Sequence, residues 1–271
     1  MAQRTWIPQS VDVSVPSMAR TYDYLLGGAH NFAVDRALAG QVERIMPDAR
    51  AAARVSRAFL ARTVRFMVGQ GIRQFLDIGS GIPTAANVHE VAQGMDPECR
   101  VVYVDKDPIA VAHSELMLMD NDRATIVHAD MRDPESILGH PETRGMLDFD
   151  QPIGLLLLMM LHWLPDEADP WTLMARYRDT LVPGSYLAIT HVTADNEEQG
   201  VTEVSDLIKR SQSTEQLTER SHAQVVALFG DFELVEPGLV GCAAWRSTGP
   251  GDMSDAAEMN RVIYGGVARK S

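Results

Sequence analysis

Cysteine is nearly absent. Cys99 and Cys242 stand alone and far apart in the 271-residue chain. No Cys-x-x-Cys or Cys/His spacing offers a zinc site, and the pair reads as two reduced thiols of a cytoplasmic protein. Long hydrophobic runs are missing too. The most apolar segment, IGLLLLMMLHWL (153–164), falls short of the ~20 residues that a membrane span needs, and it reads as core. The stretch MAQRTWIPQSVDVSVPSM has no apolar run of signal-peptide length. Positive charge is scarce: 24 Lys and Arg stand against 37 Asp and Glu, a net charge of −13. Nucleic-acid binding is dominated by phosphate neutralisation, so this balance disfavours it.

What is present is an alternation. Residues 1–16 hold Pro8 and Pro16 with no periodicity and read as an extended arm. Residues 17–69 look helical, with Leu60, Val64, Met67 and Val68 at the spacing of one buried face. Arg50, Arg54 and Arg57 fall on another face, read as solvated. From residue 72 onward IRQFLDIG, RVVYVDKD and ATIVHADM are short β-rich runs separated by stretches of helical length. That pattern predicts βαβ units and a parallel sheet. PIGLLLLMML is the expected fourth strand despite its helix-favouring Leu and Met, because Pro152, Gly154 and Pro165 flank it. SYLAITHV is the fifth, and ELVEPGLVG and VIYGGVARK end the sheet. Length allows one large domain, divided here into an arm and helical lid (1–70) and a core (71–271).

The first strand ends in LDIGSGIPT (76–84). Gly79 and Gly81 allow close backbone approach to a ligand, and the following helix N-terminus offers free N–H groups. The pattern is D-x-G-x-G-x-P, with Thr84 where a dinucleotide site needs its third glycine. A ligand without a pyrophosphate fits better. The second strand ends in Asp105, placed to accept both hydroxyls of a ribose. After the third strand, Asp130 can accept from an adenine amino group and Met131 can pack on the ring. Acids at three successive strand ends beside a glycine turn describe one nucleoside-like ligand.

DIGSGIPT, VDKDP, HADMRDP and MMLHWLPD resemble the successive motifs of class I S-adenosylmethionine-dependent methyltransferases. Together with RTYDYLLGGAHNFAVDR (20–36), they resemble a bacterial family of S-adenosyl methyltransferases without a defined substrate. The resemblance implies an α/β Rossmann-like fold, a mostly parallel seven-stranded sheet of order 3-2-1-4-5-7-6 with an N-terminal helical extension. It implies S-adenosyl-L-methionine as cofactor. Asp77, Gly79, Ser80 and Gly81 would line its methionine end, with backbone from Met159. Asp105 would hold the ribose, and Lys106, Asp130 and Met131 would frame the adenine. LHWLPD resembles the corresponding segment of small-molecule methyltransferases, so His162 would face a small-molecule substrate as a proton acceptor, with His191 a second candidate. No metal is called for.

RTYDYLLGGAHNFAVDR is expected to form a helix ended by Gly27-Gly28 and then a new turn. Tyr22 and His30, with Arg20 and Asn31, are expected to reach the cofactor or substrate. EEQGVTEVSDLIKR (197–210) reads as a solvated helix, with a substrate lid as the other option. Two rival functions stay open: a catalytically silent S-adenosylmethionine-binding module, and a nicotinamide-dependent dehydrogenase, against which Asp77 and Thr84 argue.

Overall fold

The computed structural model describes residues 11–84, 86–196, 198–211, 213–247 and 261–271. Most of the expected N-terminal arm lies outside them. Strands β1 (Gln74–Ile78), β2 (Arg100–Asp105), β3 (Ala124–His128), β4 (Gly154–Leu158) and β5 (Tyr186–Val192) are joined in parallel. β8 (Ile263–Arg269) runs antiparallel to β5, and the two-residue strands β6 (Glu233–Leu234) and β7 (Val240–Gly241) both pair with it. The order is β3-β2-β1-β4-β5-β8-β6. The last strand inserts before the sixth, as the resemblance implies. The one addition is β7, which makes eight strands from the seven expected.

β4 is GLLLL, a sequence with helical preference, yet it forms a strand. It is hydrogen-bonded on both sides, Leu155 lying between Leu76 of β1 and Leu187 of β5. Tertiary pairing and burial on both faces outweigh propensity there. Residues alternate between two cores. Phe75, Val101 and Tyr103 join one apolar cluster, and Leu76, Val102 and Val104 join the other.

Helices α3 (Ala49–Gly69), α4 (Val88–Met95) and α9 (Glu198–Arg210) supply the first cluster. α6 (Pro134–Leu138), α8 (Pro170–Asp179) and α10 (His222–Leu228) supply the second. α5 (Pro108–Leu118) and α7 (Pro141–Met146) complete the connections. Three of these helices start on an Asp-Pro pair. Asp107, Asp133 and Asp169 each accept from a backbone N–H of the first turn, and proline occupies the first helical position.

The N-terminal helices are α1 (Met18–Leu25) and α2 (Ala33–Ile45), packed on each other and on α3. Gly27, at φ +86°, ends α1. The loop that follows folds around Asp23, which is buried. Its carboxylate accepts from the N–H of His30 at 2.9 Å and from the Asn31 amide at 2.8 Å. Gly28 packs against the same carboxylate so closely that a Cβ would collide with it. Gly28→Ala should therefore lower stability by about 1–3 kcal/mol, the usual cost of overpacking, read as a lower urea midpoint with an unchanged slope.

α9 is not merely solvated. Val201, Val204, Leu207 and Ile208 form a buried stripe, and the helix packs on α2. No described helix is long and apolar enough to cross a membrane.

Candidate active site

A cavity of about 640 Å³ opens at the carboxyl ends of β1 to β4. Its floor is the turn after β1. Gly79 and Gly81 take φ +74° and +68°, conformations that glycine adopts without strain. A Cβ on Gly79 would run into the Met160 side chain, whereas the space beside Gly81 is open. The N–H groups of Gly79 and Ser80 both donate to the Val104 carbonyl, which fixes the turn against β2. The Ser80 hydroxyl is buried with no hydrogen-bond partner.

Asp77 and Asp105 are both buried and both line the cavity. Asp105 accepts from the N–H of Gly81 at 2.7 Å and of Asp107 at 2.8 Å. A carboxylate has about four acceptor sites, so two remain for a ligand. Burial raises the Asp105 pKa to about 6, against the lowering effect of those two N–H groups. Burial likewise raises Asp77 to about 7; Arg57 opposes this and the nearby Asp105 adds to it. Arg57 also lines the cavity and donates to the Asn87 amide oxygen at 3.3 Å. The solvated basic face expected for α3 thus gives one of its three arginines to the site. Arg50 instead pairs with Glu43 and stacks on Tyr24.

Beyond β3, Asp130 and Met131 line the wall. The Asp130 carboxylate is gripped by the Arg132 guanidinium, and the Met131 carbonyl accepts from the Tyr177 hydroxyl at 2.7 Å. Lys106 reaches across to Glu215 at 2.9 Å. This ties the end of β2 to the segment 213–218, whose Thr214, Glu215 and Gln216 close one side. On the other side stands α1. Arg20 pairs with Asp35 at 2.9 Å and with Asp107 at 3.5 Å, and the Ser17 hydroxyl donates to Asp107.

Met159 sits at the end of β4 with φ +58°. Its N–H donates to the Thr190 hydroxyl, and its carbonyl accepts from the Trp163 indole. Its N–H is therefore already used, which leaves the carbonyl as the backbone group it can offer. The indole bond folds the 3-10 turn Leu161–Trp163 back over the strand end. His162, in that turn, is fully buried and lines the cavity. Neither of its ring nitrogens has a hydrogen-bond partner. Burial, with His191 and Arg220 nearby, holds its pKa well below the ordinary imidazole value.

His191 does not join the site. Its Nδ1 donates to the Val192 carbonyl at 2.6 Å, and its Nε2 accepts from Arg220 at 3.0 Å. Both nitrogens are consumed, and burial lowers its pKa to about 3. It is a structural histidine behind His162, their ring centroids 5.5 Å apart. Nor does His30 join the site, contrary to the expectation for it: it is exposed, packed at 3.9 Å on the His113 ring, and absent from the cavity lining. Asn31 serves Asp23 and Arg36. Tyr22 does line the cavity, its hydroxyl donating to the Ala53 carbonyl at 3.1 Å. Residues 17 and 215 carry no sequence signal of their own, and Asp107 reads only as a helix cap; the parts all three play in the enclosure depend on contacts between distant parts of the chain.

Residues 4–271 match a family model described as S-adenosyl methyltransferase. A crystal structure of an inferred methyltransferase from Thermobifida fusca YX superposes with a TM-score of 0.91 at 40% identity, over 98% of this chain and 99% of that one. A DUF574 family protein from Streptomyces avermitilis MA-4680 gives 0.91 at 37% identity, over 96% and 99%. The plantazolicin methyltransferase BpumL, solved with a triazolic desmethylPZN analogue and S-adenosylhomocysteine, shares the fold at 12% identity and a TM-score of 0.53, over 93% and 95%. No protein of curated function matches. With a model that spans nearly all its residues and relatives this similar, the chain belongs to the S-adenosyl methyltransferase family.

Proposed function

We propose that the protein methylates a small molecule held in this cavity, with His162 taking the proton from its nucleophile. Family membership makes S-adenosylmethionine the cofactor, and the residues present fit it. Gly81 leaves room for close approach, the Ser80 hydroxyl is unpartnered, and Asp105 keeps free acceptor capacity. The cavity volume lies within the ~300–1,000 Å³ usual for ligand pockets. When bound, the cofactor supplies a methyl group activated by its sulfonium. The chain's own work is then to position, to exclude water and to remove a proton.

Asp105 would orient the ribose, with Lys106 and Met131 beside the adenine. Asp77, Gly79, Ser80 and Gly81 would receive the amino-acid end, where a raised carboxyl pKa falls on pairing with an ammonium group. Tyr22 and the Met159 carbonyl would complete the wall nearest the substrate. The observation that carries the catalytic reading is His162: fully buried, on the cavity wall, with both ring nitrogens unpartnered. A buried imidazole normally satisfies at least one nitrogen. This one is neutral and uncommitted, the state a proton acceptor needs. The net charge of −13 favours a small acceptor over a nucleic acid.

Incubation with S-adenosylmethionine and fractionated cell extract should release S-adenosylhomocysteine in a fraction-dependent manner. Tight cofactor binding with no release in any fraction would favour a binding module instead.

A further inference from the structure

A second cavity, of about 140 Å³, lies beside the first. The two share a wall made of Met18, Tyr22, Met159, His162 and Trp163. Most of the rest of the second chamber comes from α1, α2, α3 and α9, through side chains such as Leu38, Val42, Ala52, Val204 and Ile208, and Leu217 of the segment 213–218, Val192 of β5 and Ile263 of β8 add to it. Its lining is apolar except for a few groups. The Tyr22 hydroxyl is already given to Ala53. That leaves the Thr21 hydroxyl and the His162 ring, both buried and both without partners. So apolar a lining favours an apolar guest, and ~150 Å³ is room for one as large as benzene. A charged or strongly polar guest would lose its hydration there without compensation.

We propose that the methyl acceptor carries a compact apolar group, one aromatic ring or a branched alkyl group of similar size, which lodges in this chamber and presents its nucleophile to His162. The proposal rests on the methyltransferase reading above and specifies its substrate class. It also accounts for the design of the N-terminal region. α1 and α2 contribute Met18, Thr21, Leu25, Leu38 and Val42 to the chamber, and α9 supplies the facing wall. The helices outside the βαβ core thus build the acceptor site, and the Thr21 hydroxyl stands ready to hydrogen-bond the acceptor's polar end.

The test uses phenol as a probe, an aromatic ring with one hydroxyl nucleophile, with ethanolamine as a polar control. Methyl-labelled full-length protein saturated with S-adenosylhomocysteine is titrated with each and followed by NMR. Phenol should shift the methyls of Leu38, Val42, Val204 and Ile208, and ethanolamine should not. Ala52→Leu, which fills the chamber, should weaken phenol binding about 10-fold or more while S-adenosylhomocysteine affinity stays unchanged. Val204→Ala should enlarge the chamber and admit 2-naphthol, which the wild type excludes. S-adenosylhomocysteine binding with no phenol-induced shift at these methyls, or phenol binding indifferent to both substitutions, overturns the proposal and leaves the methyltransferase reading intact. A wild type that does not bind S-adenosylhomocysteine overturns both.

Discussion

Asp105→Ala should weaken S-adenosylhomocysteine binding by about 100-fold or more, since two charge-assisted hydrogen bonds at ~1.5–3 kcal/mol each are at stake. The buried carboxylate also anchors the glycine turn through the Gly81 N–H, and it orders the start of α5 through the Asp107 N–H. Removing it leaves two N–H groups to find other partners, so the turn loses definition along with the ribose contact. Isothermal calorimetry reads the loss; a change below about 3-fold, less than one ordinary hydrogen bond, would remove Asp105 from the ribose role.

A pH signature accompanies it. Asp105 and Asp77 are raised to about 6 and about 7, from ordinary values near 3.8. In that interval the folded protein holds more protons than the unfolded chain. These groups therefore make the ligand-free protein less stable as pH rises from about 4 to about 7. Ligand hydroxyl and ammonium groups favour the ionised carboxylates. Cofactor affinity should accordingly rise with pH across about 6 to 7, as the pair loses its protons. Asp77→Asn should flatten the upper part of that rise.

His162→Ala should lower turnover by about 10²- to 10⁴-fold, the range for losing a general base, with S-adenosylhomocysteine affinity nearly unchanged. The ring nitrogens bond to nothing in the protein, so their removal breaks no internal hydrogen bond. Burial keeps the His162 pKa below its usual value, so the acid limb of the wild-type rate profile should fall below pH ~6.5. The same depression means that acid destabilises the fold. The unfolded chain binds the proton near pH ~6.5 and the native state resists it, so stability falls as pH drops below that value. His162→Ala should lose this part of the acid sensitivity. If a phenolic acceptor reacts as fast with His162→Ala as with the wild type, the residue has no part in proton removal.

The βαβ core was legible because its signals are local. Each strand is a short apolar run, each of Asp77, Asp105 and Asp130 stands at a strand end, and three helices open on Asp-Pro. The glycine turn was legible for the same reason. The two histidines show where local reading stops. His162 and His191 are both candidates near strand ends, with His191 second. What separates them is Arg220, 29 residues after His191, whose guanidinium binds the His191 ring and also the Leu161 and Leu164 carbonyls. His30 failed in the same way, because the buried Asp23 turns the loop's backbone inward and leaves the ring facing His113. The buried face of α3 is visible as a pattern, but that Arg57 on its other face meets the cavity, and that α9 is packed and not solvated, depends on contacts between distant parts of the chain.

Asp105, Lys106 and Asp107 are consecutive, yet each holds a different part of the enclosure. The first holds the glycine turn, the second the segment 213–218 through Glu215, and the third helix α1 through Ser17 and Arg20. Three walls therefore share one tripeptide, so a displacement of this strand end acts on all of them at once. Protection of their amides against hydrogen exchange becomes a collective property. A nucleoside that pins Asp105 should therefore raise the exchange protection of α1 amides as well, although α1 need not touch it.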